Sequence, residues 1–433
     1  MALLNGMTSE QLDQLLDEQK KKYTEFCDRG LHLDMSRGNP SPEILSYSED
    51  LLTAVTDSDD CFSEDGVDCR NYGTPFGIRE ARELFSEIIL APADNIIIGG
   101  SSSLNLMFDV VSRAITHGLA NSPRPWGKEE KVRFLCPVPG YDRHYKILEY
   151  FGIEMIPVAL TGDGPDMDTV EEIVSSDDSV KGIWCIPVYS NYSGEIYSTE
   201  TIRRLAEMKT AAPDFVVLYD DSYTVHDLYN KPVVIPSFFD ACMRAGNNER
   251  PIIFSSTSKM TFAGGGLSCV AFGGKNLELA KNAISIQLIT HDKVNQLRHV
   301  RVLKNLDTVR NRMNKFGEML RPKFETVENI FERLLGKYEI AEWSKPLGGY
   351  FICFKLKKAS AKRVVAMCNG AGVKLTPAGA GFPHGIDESD SYIRIAPTFP
   401  NISELQDAAT LLCVCSLIDT IEQIKVMEDN PVK

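Results

Sequence analysis

The sequence predicts an α/β fold, with a large domain built on a mostly parallel sheet and a smaller α+β domain beside it. Three observations carry this. Short apolar runs at 96–98, 132–136, 182–188, 215–219 and 252–254 read as strands buried on both faces. Between the first two runs lies a helical stretch with Leu104, Met107, Phe108, Val111 and Ile115 on one side and Gly118 as its stop, and such alternation of strand and helix implies parallel strands joined by crossovers. Finally, 433 residues at 43% hydrophobic content suffice for two domains, or for one large domain with a satellite.

Taken in order, residues 8–29 read as an amphipathic helix. Thr8 and Gln11 have capping-box spacing, Leu12, Leu15, Leu16, Tyr23 and Phe26 share a face, and Gly30 ends it. The stretches 57–68 and 121–130 read as polar surface loops. After about residue 320 the texture changes to a helix, a strand at 350–356, a helix at 361–370, a strand at 391–395 and a long apolar helix from Asn401. The expected division is an N-terminal arm at 1–60 joining the small domain, a large domain at 61–320 and a C-terminal small domain at 321–433.

Composition narrows the function. A net charge of −14, from 46 basic and 60 acidic side chains, leaves no basic tract for nucleic acid or an anionic membrane. No apolar run of membrane-spanning length occurs, and the first thirty residues lack a signal-peptide pattern. Eleven cysteines at irregular spacing, none in a Cys-x-x-Cys pair, suit buried thiols in the cytoplasm, and no metal site is expected.

In a parallel sheet, ligands gather beyond the carboxyl ends of the strands. The polar clusters at 99–103, 137–142, 189–194, 220–223 and 255–259 each follow a predicted strand and are placed to meet there. Lys259 stands out among them. It ends a run of hydroxyl residues, Ser255, Ser256, Thr257 and Ser258, directly after a buried strand and shortly before Gly264, Gly265 and Gly266. The plain alternative is a lysine that caps the strand or pairs with a carboxylate. The chemical reading is an amine in an enclosed site that loses its proton readily and attacks an aldehyde.

The segments SRGNPSPE, NYGTPFGIREAR, CPVPGYDRH, PVYSNYSGEIYS, YDDSY, SSTSKMTFAGGG and YIRIAPTFP, in this order, resemble the aspartate aminotransferase superfamily of fold type I. They are similar in particular to the bacterial aspartate aminotransferases related to the MocR-type aminotransferase domain. The resemblance spans nearly the whole chain and implies the PLP-dependent transferase fold, pyridoxal 5′-phosphate (PLP) as cofactor, and a homodimer with shared sites. It implies that Lys259 forms the imine with PLP and serves as catalytic base. Asp220 then pairs with the cofactor's ring nitrogen, a position whose plain alternative is a helix N-cap that neighbouring Asp221 fits better. Tyr223 and Asn191 reach the ring's phenolic oxygen, and Asn191 also meets the substrate carboxylate. Gly100, Ser101 and Ser102, opening a helix, hold the phosphate together with Ser256, and Tyr72 reaches it from the other subunit.

Arg394 matches the arginine that forks onto the substrate α-carboxylate, and Ile393 and Ile395 on the opposite, buried face leave it facing the cleft. Gly38 matches the glycine whose backbone approaches the same carboxylate. Two positions depart from the pattern. Leu267 stands where many relatives have a phosphate-binding arginine, and Val138 stands where an aromatic usually stacks on the cofactor ring, which leaves Tyr141 as the nearest aromatic.

The subgroup points to aspartate and glutamate, with oxaloacetate and 2-oxoglutarate. A dicarboxylate needs a second cation, for which Arg37, Arg143, Lys293 and Arg298 are candidates, each equally readable as a solvated or structural charge. The same residues would serve an aminotransferase for other amino acids or a carbon–sulfur lyase. A non-enzymatic sensor of the MocR kind needs a DNA-binding segment that this acidic chain does not supply.

Overall fold

The computed structural model describes residues 1–429. Among them, seven strands form one sheet in the spatial order Ile96–Ile98, Ser268–Phe272, Pro251–Ser256, Val216–Asp220, Val180–Cys185, Arg133–Val138 and Glu154–Ala159. All pairings are parallel except those of Ser268–Phe272, which runs antiparallel to both neighbours.

The apolar runs are explained by alternation onto two cores. Ile98, Leu135, Ile183, Val217, Ile253 and Cys269 face one, while Ile97, Phe134, Trp184, Leu218, Ile252 and Val270 face the other. The strands inside the sheet are buried on both faces and so read as continuous hydrophobicity instead of a period of two, whereas the edge strand Glu154–Ala159 is partly exposed. Several expected boundaries shift. The run at 132–136 extends to Val138, and the run at 182–188 leaves the ladder after Cys185.

The helix Ser103–His117 forms and ends at Gly118, but its buried face is Leu106, Met107, Val110, Val111 and Ala114. Phe108, expected inside, is 37% exposed and packs at a tilt on Tyr150 and Phe151. The stretch 121–130, expected as a polar surface loop, carries buried Trp126, whose indole donates to Asp214 at 2.9 Å. Asp214 also pairs with Lys181 at 3.0 Å, so two buried donors converge on one carboxylate. The loop 57–68 likewise tucks Cys61 and Ser63 inside.

The predicted N-terminal helix is Ser9–Asp28, with the Thr8–Gln11 capping box in place and Gly30 left-handed just beyond its end. It packs on Ile402–Asp429, which in turn packs on Leu306–Leu335. Lys20–Glu422 and Arg29–Asp407 ion pairs lie along the first of these seams. Leu33–Asp34 adds a short parallel pairing with Val373–Lys374, so the start of the chain joins its C-terminal part in space. A three-stranded antiparallel sheet, with Ile352–Leu356 between Ala341–Trp343 and Tyr392–Ile395, completes that part. Residue 320 falls inside the continuous helix Leu306–Leu335. No helix of the described residues is long and apolar enough to cross a membrane.

Candidate active site

Lys259 owes its position to the turn between two adjacent antiparallel strands, Pro251–Ser256 and Ser268–Phe272. Thr257 ties that turn at both ends, its hydroxyl accepting from the Leu267 amide at 2.9 Å and its carbonyl from Met260 N and Thr261 Oγ1. His299 fixes Thr261 from the neighbouring helix at 3.0 Å. Nζ of Lys259 then lies 5.1 Å from the Tyr223 ring centre and 5.6 Å from that of Tyr350, with no carboxylate in ion-pair range among the described residues. Burial lowers its pKa, against the upward pull of Tyr141 and Asp220. The plain alternative of a lysine paired with a carboxylate does not describe this geometry.

Lys259 opens on a cleft of about 960 Å³ that is also lined by Arg37, Gly38, Tyr141, Arg143, Asn191, Tyr223 and Arg394. Arg394 arrives on strand Tyr392–Ile395, with Ile393 and Ile395 fully buried behind it. Its guanidinium donates to Asn191 Oδ1 at 3.0 Å and to the Ser36 carbonyl at 3.2 Å, lies 3.8 Å from Asp142, and covers the Phe351 ring at 4.6 Å. Nε has no partner. A cation that is buried and incompletely satisfied is suited to an anionic ligand.

Gly38 lies against the same ring. A Cβ there would stand 2.8 Å from Phe351 Cζ and 3.1 Å from Cε1, so the ring beneath Arg394 would have to move. Gly38→Ala is expected to weaken binding of a carboxylate at Arg394 roughly tenfold, as ligand titration would report.

Asp220 ends strand Val216–Asp220 with its carboxylate buried, accepting from the Ser222 hydroxyl and lying 3.1 Å from His144 Nε2. His144 is stacked on Trp184 at 4.0 Å, which fixes the direction of that contact. No helix follows Asp221, so it is not an N-cap; the next helix is Phe238–Arg244. Burial, with the charge of Asp220 added, raises Asp221 to about 8. Burial, with the Asp220 charge second, raises the Tyr223 phenol, which therefore stays a hydrogen-bond donor. Burial likewise raises Tyr141 to about 12.

Gly100, Ser101 and Ser102 are not among the residues lining that cleft; they precede helix Ser103–His117, and Ser102 makes no side-chain cap, so the first amides of the helix keep their hydrogen-bonding capacity. The Ser101 carbonyl accepts from Ser258 Oγ at 3.1 Å, next to Lys259, and Ser256 is buried at the end of the lysine's strand. Leu267 is buried in the strand turn. Val138 packs into the second core, leaving Tyr141 on the cleft wall in edge contact with His144.

Tyr72 is 75% exposed and does not line the cleft of its own chain. Two proposed cations also lie outside it. Lys293 is buried on the backbone carbonyls of Asn71 and Gly73, a structural role, and Arg298 is absent from the lining.

Sequence reading missed four residues near the centre. His144 and Tyr350 were hidden inside ordinary helical and strand patterns. Phe351 shows only as half of an aromatic pair after Gly348 and Gly349. His226, in edge contact with Tyr223 and Tyr350, is held neutral by burial first and the Lys259 charge second, with a pKa lowered to about 3.

Comparison with known proteins agrees with this geometry. The profile of the family described as aspartate amino-transferase matches residues 7–428. The chain is 39% identical over 419 residues to an aspartate aminotransferase of Corynebacterium glutamicum, a match covering 97% of this chain and 96% of that one. The crystal structure of an aspartate transaminase from the same organism superposes with a TM-score of 0.94, over 97% of this chain and 98% of that one. An α-aminoadipate aminotransferase from Thermus thermophilus, crystallised with N-(5′-phosphopyridoxyl)-L-leucine, shares the fold at 19% identity and a TM-score of 0.72, over 93% and 95% of the two chains. With a match that runs almost end to end over a half-buried lysine and a buried arginine facing one cleft, the chain belongs to the aspartate amino-transferase family and is an aminotransferase with the fold-type I architecture of PLP enzymes.

Proposed function

We propose that this aminotransferase transfers the amino group of L-aspartate to 2-oxoglutarate by a ping-pong route, with Lys259 as the residue that holds PLP and moves the proton. The observation that carries this reading is the placing of a deprotonation-prone amine and an incompletely satisfied guanidinium on one cleft. PLP is the cofactor that membership in this family implies, and the residues present fit it. Asp220 offers a buried carboxylate to a ring nitrogen, Tyr223 and Asn191 offer polar groups to a ring oxygen, and the uncapped helix behind Gly100, Ser101 and Ser102, with Ser256, offers donors to a phosphate. Tyr141 is the wall against which the ring would rest.

When bound, PLP supplies an electron sink for the pair released at the substrate's α-carbon. Arg394, with Asn191 beside it and the Gly38 backbone opposite, takes the α-carboxylate and so directs the Cα–H bond toward Lys259. Lys259 Nζ would remove that proton as general base and deliver it again as general acid. Burial lowers its pKa, which favours the unprotonated amine that this role needs. Tyr223 remains a phenol throughout and donates.

For the distal carboxylate we choose Arg37 and Arg143. Both line the cleft, and neither is in an ion pair among the described residues. Each is next in sequence to a residue at Arg394, Ser36 and Asp142 respectively. Arg37→Ala and Arg143→Ala are expected to raise KM for aspartate by roughly 10–100-fold while leaving alanine turnover nearly unchanged. Equal effects on both donors would reject this assignment.

We take residues 61–320 as the unit holding the cofactor and 1–60 with 321–433 as the unit bringing Arg394. We take Tyr72 to enter the site of a second copy, so that the working form is a homodimer. The eleven cysteines, all free, fit a cytoplasmic setting. The decisive experiment is a panel of amino donors with 2-oxoglutarate. Aspartate should lead. Preference for an aromatic or aliphatic donor would move the specificity elsewhere, and pyruvate release without an acceptor would replace transfer by carbon–sulfur lysis.

A further inference from the structure

Buried lysines are expensive unless every N–H is satisfied, which makes Lys293 worth following. Its side chain is buried at the start of helix Lys293–Leu303, and three acceptors surround Nζ: the Asn71 carbonyl at 2.5 Å, the Gly73 carbonyl at 3.0 Å and Thr290 Oγ1 at 3.0 Å. The two carbonyls flank Tyr72. That residue is 75% exposed, with no hydrogen bond from its hydroxyl among the described residues.

The rest of the loop is held as firmly. Asn71 Oδ1 accepts from the Tyr72 amide at 2.8 Å, and Arg70 forks onto Asp68 with two contacts of 2.9 Å. Gly73 and Thr74 both take positive φ, at 102° and 49°, a bend that costs the threonine energy. One turn along the helix from Lys293, Gln296 accepts from the Ile78 amide at 2.8 Å, and Arg301 donates to the Ala54 carbonyl at 3.1 Å. The far side of the same helix is fixed to the lysine turn, Asn295 donating to the Gly266 carbonyl at 3.0 Å and His299 meeting Thr261. A chain does not bury an ammonium and strain a threonine to leave a tyrosine idle in water.

We infer that Lys293 is a positioning residue that presents Tyr72, as a preorganised arm, to the cofactor site of a second copy of this chain. This rests on the reading that Tyr72 enters that copy's site. Lys293 therefore acts in trans: its loss damages the site of the other subunit, while the site of its own subunit, served by the other copy's Tyr72, is spared.

The test uses mixed dimers, purified with two tags, in which one subunit carries Lys259→Ala so that only one site is competent. With K293M on the subunit that keeps Lys259, the competent site receives an intact arm, and PLP affinity by spectroscopic titration should match a dimer carrying K259A alone. With K293M and K259A on the same subunit, the competent site receives the disordered arm, and PLP affinity should fall by roughly 10–100-fold. Equal affinity in the two arrangements overturns the inference, because a merely structural lysine has no preference between them. Should K293M fail to assemble, T290V removes one acceptor and is run in the same two arrangements, with K293R expected to restore most of the loss. Y72F in the homodimer separates the underlying reading: unchanged PLP affinity there removes Tyr72 from the site, whereas weakened affinity with no cis–trans difference for K293M rejects Lys293 alone.

Discussion

Lys259→Ala is expected to lower turnover by about 10⁴-fold or more, the upper end of what a positioned proton-transfer group contributes. The loss should appear in both half-reactions, because the same Nζ moves the proton in each direction. Lys259→Arg should be as inactive as the alanine variant: it keeps a cation but cannot give up a proton at accessible pH. That equality distinguishes a base from a charge. The folded state should not suffer, since the amine lies against two aromatic rings with no carboxylate in ion-pair range, and removing a desolvated charge relieves a cost. Single-turnover kinetics with aspartate would measure the first effect and thermal unfolding the second. An alanine variant that turns over at an appreciable fraction of the native rate would end the proposal.

The second large effect is expected at Asp220. Asp220→Asn keeps the shape and loses the anion, and should slow Cα–H removal by roughly 10²–10³-fold, the range seen when one preorganised electrostatic group is lost. Affinity for the cofactor should fall far less, because the phosphate donors and Lys259 are untouched. Asp220→Glu, which restores the charge one methylene out of place, should recover only part of the rate. His144, stacked on Trp184, sets the angle at which the carboxylate is held, so the longer side chain must either leave that contact or overshoot the ring. Stopped-flow measurement of the aspartate half-reaction would separate the three proteins. Equal rates in all three would remove Asp220 from the chemistry.

The sheet was legible because its strands are buried on both sides, and Ile96–Ile98 or Pro251–Ser256 could hardly be anything else. Ser268–Phe272 was not, because small residues such as Ser268, Cys269 and Ala271 carry little strand signal and the pairing that makes them a strand is tertiary. Glu154–Ala159 lies at the sheet edge and alternates buried with exposed, so no apolar run marks it. Lys259 stood out at the end of a buried strand and Arg394 between buried isoleucines, whereas Asp220 and Asn191, ordinary at a strand end and in a turn, were picked out through the order of motifs that carries the resemblance. His144 and Lys293 could not. A histidine on an amphipathic helix and a lysine at a helix start are ordinary in sequence, and only the carboxylate or the carbonyls brought from elsewhere in the chain make them unusual. Trp126 failed for the same reason, its partner Asp214 lying far along the chain.

The Arg394 guanidinium is already occupied before any substrate arrives, by an amide oxygen from the large sheet's side and a main-chain oxygen from near the N-terminus. These internal oxygens behave as placeholders. An incoming carboxylate competes with a neutral, weaker acceptor already in position, and a departing one is replaced without the arginine ever standing bare. Entry and exit thereby become exchanges between similar states, which flattens the binding energy and favours rapid turnover over tight retention.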